Sequence, residues 1–164
     1  MEIINIIQKL KDERKNIKIY IDMDGTIVEN IYDLEKSFLK RGGYIKKRPI
    51  KPIIDVINII KDNYKEMEVN ILSCAMTNDM VKEKNEWLDI HMPNINIENR
   101  IFLVNENGDF TEDTIRFVKS EYIKANLHEN DIAILIDDSN TILNEAQKLL
   151  GNKVYPVHVT SLLI

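Results

Sequence analysis

Three apolar runs in this chain each lead directly into side chains that can do chemistry. Residues 17–21 run into Asp22-Met23-Asp24-Gly25-Thr26, Leu72 into Ser73-Cys74, and residues 132–136 into Asp137-Asp138. Carboxylates placed there cannot be ordinary core residues, because a buried unpaired charge is costly. They must be solvated, paired, or bound to a cation. Three or four converging carboxylates would repel one another unless a divalent ion neutralised them, and an all-oxygen ligand set suits Mg²⁺. Two acids two residues apart, Asp22 and Asp24, can divide roles: one binds the metal and stays ionised, the other keeps a proton. Gly25 lets the backbone turn sharply between them.

Plainer readings stand beside these. Asp24-Gly25 could be a surface turn. Asp137-Asp138, with Ser139, could cap a helix over 139–150, and both roles can hold together. Cys74 invites a cysteine-phosphatase reading, but that chemistry wants an arginine six residues on, and position 80 is Met. His91, His128 and His158 show no metal-ligand spacing and read as structural. Lys46-Lys47-Arg48, with Arg41, is either a solvated basic run or a patch overhanging the site that attracts a phosphorylated substrate. Glu106, Asp109 and Asp113 do not have EF-hand spacing and read as a turn.

The elements that must position these groups follow from periodicity. Strands are expected over 17–21, 69–72, 101–104, 132–136 and 154–159. The fourth is apolar throughout, as in a parallel strand covered on both faces. Between them lie amphipathic helices. Ile3, Ile4, Ile7 and Leu10 share one face of the first. Pro52 opens a second that runs to about Tyr64. The segment 79–90 places Met80, Val81, Trp87 and Leu88 on one side, and Ile142, Leu143, Ala146, Leu149 and Leu150 form a stripe that Gly151 ends. Alternating strands and helices imply an α/β fold with a mainly parallel sheet. Ligands of such sheets bind at the carboxyl ends of the strands, where the acids lie. Residues 30–50 break the alternation as a small insertion with a short helix over 33–41, and 105–114 is a second irregular stretch.

Size and composition set outer limits. The chain has 164 residues, 44% hydrophobic and 30% charged, which predicts one soluble domain over 1–164. No run approaches the roughly 20 apolar residues of a membrane span. The start, Met1-Glu2-Ile3-Ile4, has no signal-peptide pattern. A single cysteine fits a reducing cytoplasm and excludes a cysteine zinc cluster. The net charge of −5 disfavours tight, sequence-independent nucleic-acid binding. The oligomeric state is not legible.

Taken in order, four signals resemble the haloacid dehalogenase-like phosphohydrolase superfamily: Asp22-Met23-Asp24-Gly25-Thr26, Ser73, a lysine upstream of the fourth strand (Lys119, with Lys124 as the alternative), and Asp137-Asp138. Receiver domains use similar residues but place the acid pair before the phospho-accepting Asp. A closer likeness is to the 5′-nucleotidase (deoxyribonucleotidase-like) branch, carried by Glu83-Lys84-Asn85-Glu86-Trp87-Leu88 before Pro93 and by Lys119-Ser120-Glu121-Tyr122-Ile123. The inserted segment is shorter than the cap typical of that branch.

The resemblance implies a doubly wound α/β core with a minimal helical cap, and a Mg²⁺-dependent phosphatase. Asp22 would be the nucleophile, forming an aspartyl-phosphate. Asp24 would protonate the leaving oxygen and then activate water. Mg²⁺ would sit on the Asp22 carboxylate, the Asp24 carbonyl and Asp137, with Asp138 behind or bound through water and Thr26 holding the loop. Ser73 and Lys119 would bind the phosphoryl oxygens. The expected substrate is a nucleoside 5′-monophosphate. Alternatives are a sugar phosphate, a nucleic-acid terminal phosphate, or a non-catalytic phospho-ligand binder.

Overall fold

Five parallel strands form one sheet in the order β3-β2-β1-β4-β5. They are β1 (Asn16–Ile21), β2 (Glu68–Ala75), β3 (Arg100–Val104), β4 (Asp131–Asp137) and β5 (Val154–His158). The structure, a computed structural model, describes residues 2–30, 42–111 and 113–163. The short helix expected over 33–41, and with it most of the small cap over 30–50, lies outside the described residues.

The chain lays down β1, β2 and β3 in one direction, then returns to the far side of β1 for β4 and β5. This is the doubly wound α/β arrangement, and its switch point falls between β1 and β4. The register makes those strands end level: Ile21 pairs with Ile136 on one side and Ile71 on the other. Asp22 and Asp137 therefore leave the sheet side by side.

Among the described residues, five α-helices cover the two faces: α1 (Glu2–Asp12), α2 (Lys51–Asn63), α3 (Asn78–His91), α4 (Ile115–Asn126) and α5 (Asn140–Leu150). Alternation along the strands divides the core. Ile17, Ile19, Ile21, Ile132, Ile134 and Ile136 pack with α1, α2 and α3, whereas Tyr20, Leu72, Ala133 and Leu135 pack with α4 and α5. Every residue of β4 is buried. Each large aliphatic side chain so buried contributes about 1.5–3 kcal/mol relative to exposure.

Local signals explain the helix ends. Thr77 caps α3 by accepting from Met80 N, and Ser139 caps α5 by accepting from Ile142 N. Pro52 sits in the first turn of α2, where its missing N–H costs nothing. Pro156 is accommodated because β5 is an edge strand. Among the described residues, no helix is long and apolar enough to cross a membrane.

One boundary differs from expectation. β2 continues to Ala75, because Ser73, Cys74 and Ala75 pair with Phe102, Leu103 and Val104 of β3. Ser73 is thus a buried residue near the end of a strand rather than the first residue of a loop.

Candidate active site at the carboxyl edge of the sheet

The turn after β1 is held from below. Met23 is wholly buried, and its carbonyl accepts from the backbone N–H groups of Thr26, Ile27 and Val28. With Met23 anchored in the core, Asp22 and Asp24 stand on either side of it at the sheet edge. Gly25 has φ +84°, a conformation that favours glycine. A Cβ there would also lie 2.1 Å from Asp138 Oδ2, so Asp138 packs directly on the Gly25 backbone. Thr26 is buried and its hydroxyl has no hydrogen-bond partner; its contribution to the turn is the backbone N–H.

Around Asp22 the site is rich in acid. Asp22, Asp137 and Asp138 bring one carboxylate oxygen each to within 4.8 Å of one another. The Lys119 ammonium, from α4, donates to Asp22 Oδ1 and to Asp137 Oδ2, both at 2.6 Å. Asp137 Oδ1 accepts from Ser139 N, so Asp137 also steadies the start of α5. His158 Nε2 donates to the Asp138 carbonyl from the neighbouring strand, 2.9 Å away. Burial pushes the Asp22 carboxyl up to about 6, with Asp137 adding repulsion and Lys119 opposing both. Burial pulls on Lys119 too, but Asp22 and Asp137 outweigh it and raise its pKa. Burial and the Asp137 charge likewise raise Asp138. An all-carboxylate set of this spacing fits a hard divalent cation such as Mg²⁺.

Around Asp24 the balance reverses. Its Oδ2 accepts from Lys84 Nζ at 2.7 Å and its Oδ1 from Lys47 Nζ at 2.9 Å. Burial opposes ionisation of Asp24, yet the charges of Lys84 and Lys47 and their hydrogen bonds hold its carboxyl down to about 2. Two ammonium groups facing Asp24 thus favour its ionised form, and burial makes Asp22 the weaker acid of the pair. Lys84 also donates to Ser73 Oγ at 2.8 Å and to the Cys74 carbonyl. Both lysines lie over the Tyr44 ring, 4.8 and 5.0 Å from its centroid. The Tyr44 hydroxyl is buried facing Asp24, and burial together with the Asp24 charge keeps it protonated.

One face of α3 builds this second half. Met80, Lys84, Trp87 and Leu88 share that face. The Glu83 carboxylate accepts from Gly42 N at 2.6 Å and Tyr44 N at 2.9 Å. Trp87 Nε1 donates to the Lys47 carbonyl. These bonds fix residues 42–47 against α3 and so place Lys47 and Tyr44 over Asp24.

Of the residues singled out from sequence, Asp22, Asp24, Ser73, Lys119, Asp137 and Asp138 come together. Lys124 does not: it is exposed on the last turn of α4, in a separate recess with His128 and Lys153. Ser73 meets Lys84 rather than Lys119. The basic run divides, with Lys47 buried on Asp24, Lys46 exposed, and Arg48 exposed and paired with Glu29. Lys84 and Tyr44 were missed as site residues. The available signal was a lysine inside the apolar stripe of Met80, Trp87 and Leu88. His158 was read as merely structural, and it does brace the backbone at Asp138. Cys74 is half-buried, and burial raises its thiol, the opposite of an activated nucleophile.

No family model matches the chain, and no curated protein does. Solved structures do. A chain of the Pnkp1/Rnl/Hen1 complex is 16% identical with a TM-score of 0.63, over 88% of this chain. This chain spans 46% of that one, less than half its length. The HAD domain of effector protein Lem4 from Legionella pneumophila is 16% identical with a TM-score of 0.53, over 88% of this chain and 85% of that one. The class C acid phosphatase from Bacillus anthracis, solved with tungstate bound, is 13% identical with a TM-score of 0.51, over 93% of this chain and 76% of that one. These likenesses show the fold: the chain is built as the haloacid dehalogenase-like domains are.

Proposed function

We propose that this chain is a Mg²⁺-dependent phosphomonoesterase that acts on a small phosphate ester, with a nucleoside 5′-monophosphate as favoured substrate. One observation carries the reading: a buried lysine, Lys119, bridges the carboxylates of Asp22 and Asp137 where Asp138 also converges. That constellation presents a nucleophile, a cation site and a cationic phosphate anchor in one place. The fold shared with a HAD domain and an acid phosphatase supports the same class of reaction by analogy.

Asp22, Asp137 and Asp138 would hold the metal, with the Asp24 carbonyl as a further oxygen. Bound there, Mg²⁺ would screen the anionic nucleophile from a dianionic phosphate. Asp22 attacks phosphorus through one carboxylate oxygen; the bond to the ester oxygen breaks, and that oxygen takes a proton from Asp24. Water then attacks the aspartyl-phosphate, passing its proton to Asp24, and inorganic phosphate leaves. Lys119 and Ser73 bind the phosphoryl oxygens. Ser73 Oγ accepts from Lys84 and its hydroxyl donates weakly to the Cys74 carbonyl at 3.5 Å, a long bond that Ser73 would exchange for one to the phosphate. Lys47 and Lys84 hold the free Asp24 as a carboxylate. The dianionic phosphate beside it raises its proton affinity, so Asp24 takes up a proton from solvent as substrate binds, gives it to the leaving oxygen, and as a carboxylate again receives the proton of water.

Release of phosphate from p-nitrophenyl phosphate and nucleoside monophosphates tests the proposal. Activity with Mg²⁺ that is lost on chelation, restored by Mg²⁺ and absent from Asp22→Asn is the expected result. Full activity after exhaustive chelation would overturn the metal assignment.

A further inference from the structure

A cavity of about 680 Å³ opens beside Asp24, on the side of the turn away from the three clustered carboxylates. Its inner end is polar and charged: Asp24, Lys47, Lys84 and the hydroxyl of Tyr44. Its outer wall is different. Met76, Met80, Phe110 and Ile115 line it with thioether, alkyl and ring carbon. Met76 is 52% exposed and Ile115 37% exposed, an unusual outlay of apolar surface at the mouth of a charged site.

Two polar side chains on this wall, Asn105 and Thr77, are tied to the backbone of the residues that form it. Asn105 accepts from Phe110 N at 2.6 Å and donates to the Phe110 carbonyl at 2.9 Å, so both ends of its amide are used in presenting Phe110. The Thr77 hydroxyl oxygen accepts the N–H of Met80 and thereby seats Met80 at the start of α3.

From this we infer that the cavity binds the leaving group of the substrate as a planar aromatic ring, held by packing against Met76, Met80, Phe110 and Ile115 rather than read by hydrogen bonds. The inference rests on the phosphatase reading, which places the departing oxygen at Asp24 and hence the leaving group on this side. It makes the enzyme base-tolerant: the ring is required, its edge pattern is not. A sugar alone would leave the carbon surface of Met76, Met80, Phe110 and Ile115 uncovered and gain nothing from it, and any hydroxyl set against that carbon would be buried unpaired. A flat ring meets the thioethers and the Phe110 face with favourable dispersion and sulfur–aromatic contact.

The test compares kcat/KM, with Mg²⁺ present, for the four common nucleoside 5′-monophosphates and for ribose 5-phosphate, which keeps the sugar and phosphate but lacks the ring. Every nucleotide should exceed ribose 5-phosphate by at least about tenfold, equivalent to about 1.4 kcal/mol. The four should differ among themselves by less than about tenfold. A site that hydrogen-bonds the base edge would separate them by as much as about 10⁴-fold. In the double variant Met80→Ser/Ile115→Ser, the nucleotide advantage over ribose 5-phosphate should fall about tenfold, mainly through KM. Ribose 5-phosphate turnover by the same protein reports that it is folded. Equal rates on ribose 5-phosphate and nucleotides, a single strongly preferred base, or an unchanged ratio in the double variant would each overturn the inference while leaving a working phosphatase. No turnover of any ester by the parent protein would overturn the phosphatase reading itself, and this inference with it.

Discussion

The two acids of the first motif, only two residues apart, live in opposite electrostatic surroundings. Asp22 shares one lysine with Asp137 and lies near Asp138, so carboxylates outnumber ammonium groups three to one. Asp24 is one carboxylate facing two ammonium groups. The buried Met23 between them turns their environments apart, and the pKa values follow, about 6 on one side and about 2 on the other. Identical side chains are thus given different chemistry by which elements overhang them. The sheet edge and α4 supply the acid-rich half; α3 and residues 42–47 supply the lysine-rich half.

The largest expected effect comes from removing the shared acid of the first half. Asp22→Asn should lower phosphate release by at least about 10⁴-fold, as loss of a nucleophile does. The same change should stabilise the protein. A buried carboxyl whose folded pKa is raised binds more protons folded than unfolded, so stability is lost as pH rises through about 6. Asp22→Asn should therefore melt higher than the parent at pH 7 in EDTA, with the gain shrinking as pH falls through about 6 and gone below the ordinary carboxylate range. A lower melting temperature at pH 7 would mean that Asp22 is held by Lys119 more strongly than its burial disfavours it.

Next in size is Lys119. Lys119→Ala should cost about 10²–10³-fold in kcat/KM, the scale for losing one charged group that stabilises the transferring phosphoryl. Lys124→Ala, on the exposed end of the same helix, should stay within about twofold. The reverse order would break the assignment of α4 to the acid-rich half.

On the lysine-rich half, Asp24→Asn should separate the two half-reactions. With p-nitrophenyl phosphate, whose leaving group needs little protonation, rapid quench should show a burst of nitrophenol up to about one equivalent per site, followed by a stall. Alkyl phosphates should show no burst. A steady rate with no burst would mean that Asp24 does not take the proton of water.

The smallest effect sharpens the division within the basic run. Lys47→Ala should reduce kcat/KM by about tenfold or more, because it removes half of the clamp on Asp24. Neutralising Lys46 and Arg48 together should change only the salt dependence of KM, by about twofold. Equal losses from the two variants would show that the run acts only as a general positive field.

Much of the acid-rich half was legible because it is local. Each acid directly follows or ends an apolar strand, and parallel strands end at one edge by construction. Lys119 needed the family resemblance, and its distinction from Lys124 needed the helix phase. The lysine-rich half was hidden for a physical reason. Lys47 looked like part of a solvated run, yet its neighbours Lys46 and Arg48 face outward while it turns inward under Trp87 and Tyr44. Lys84 stands within the apolar stripe of Met80, Trp87 and Leu88, and a lysine there is a signal that a buried charge awaits a partner. β2 runs three residues beyond the apolar run that marks it in the sequence, because polar Ser73 and small Cys74 and Ala75 carry no strand signal of their own. Pairing with β3 keeps them extended.

The ties at the two ends of the inserted segment have a consequence for how such a protein can change. At one end, Glu29 accepts from Arg48, its own N–H donates to the Arg48 carbonyl, and Val28 bridges to Pro49. At the other, Glu83 grips the backbone of Gly42 and Tyr44. Whatever chain joins these anchors, Lys47 and Tyr44 are delivered to the same place. Closing a segment between fixed ends depends only weakly on its length, about 0.6 kcal/mol per doubling. The placement of Lys47 and Tyr44 over Asp24 is therefore set by the bonds of Glu29 and Glu83 rather than by the length of chain between them, so the chemistry at Asp24 should tolerate insertions in that segment.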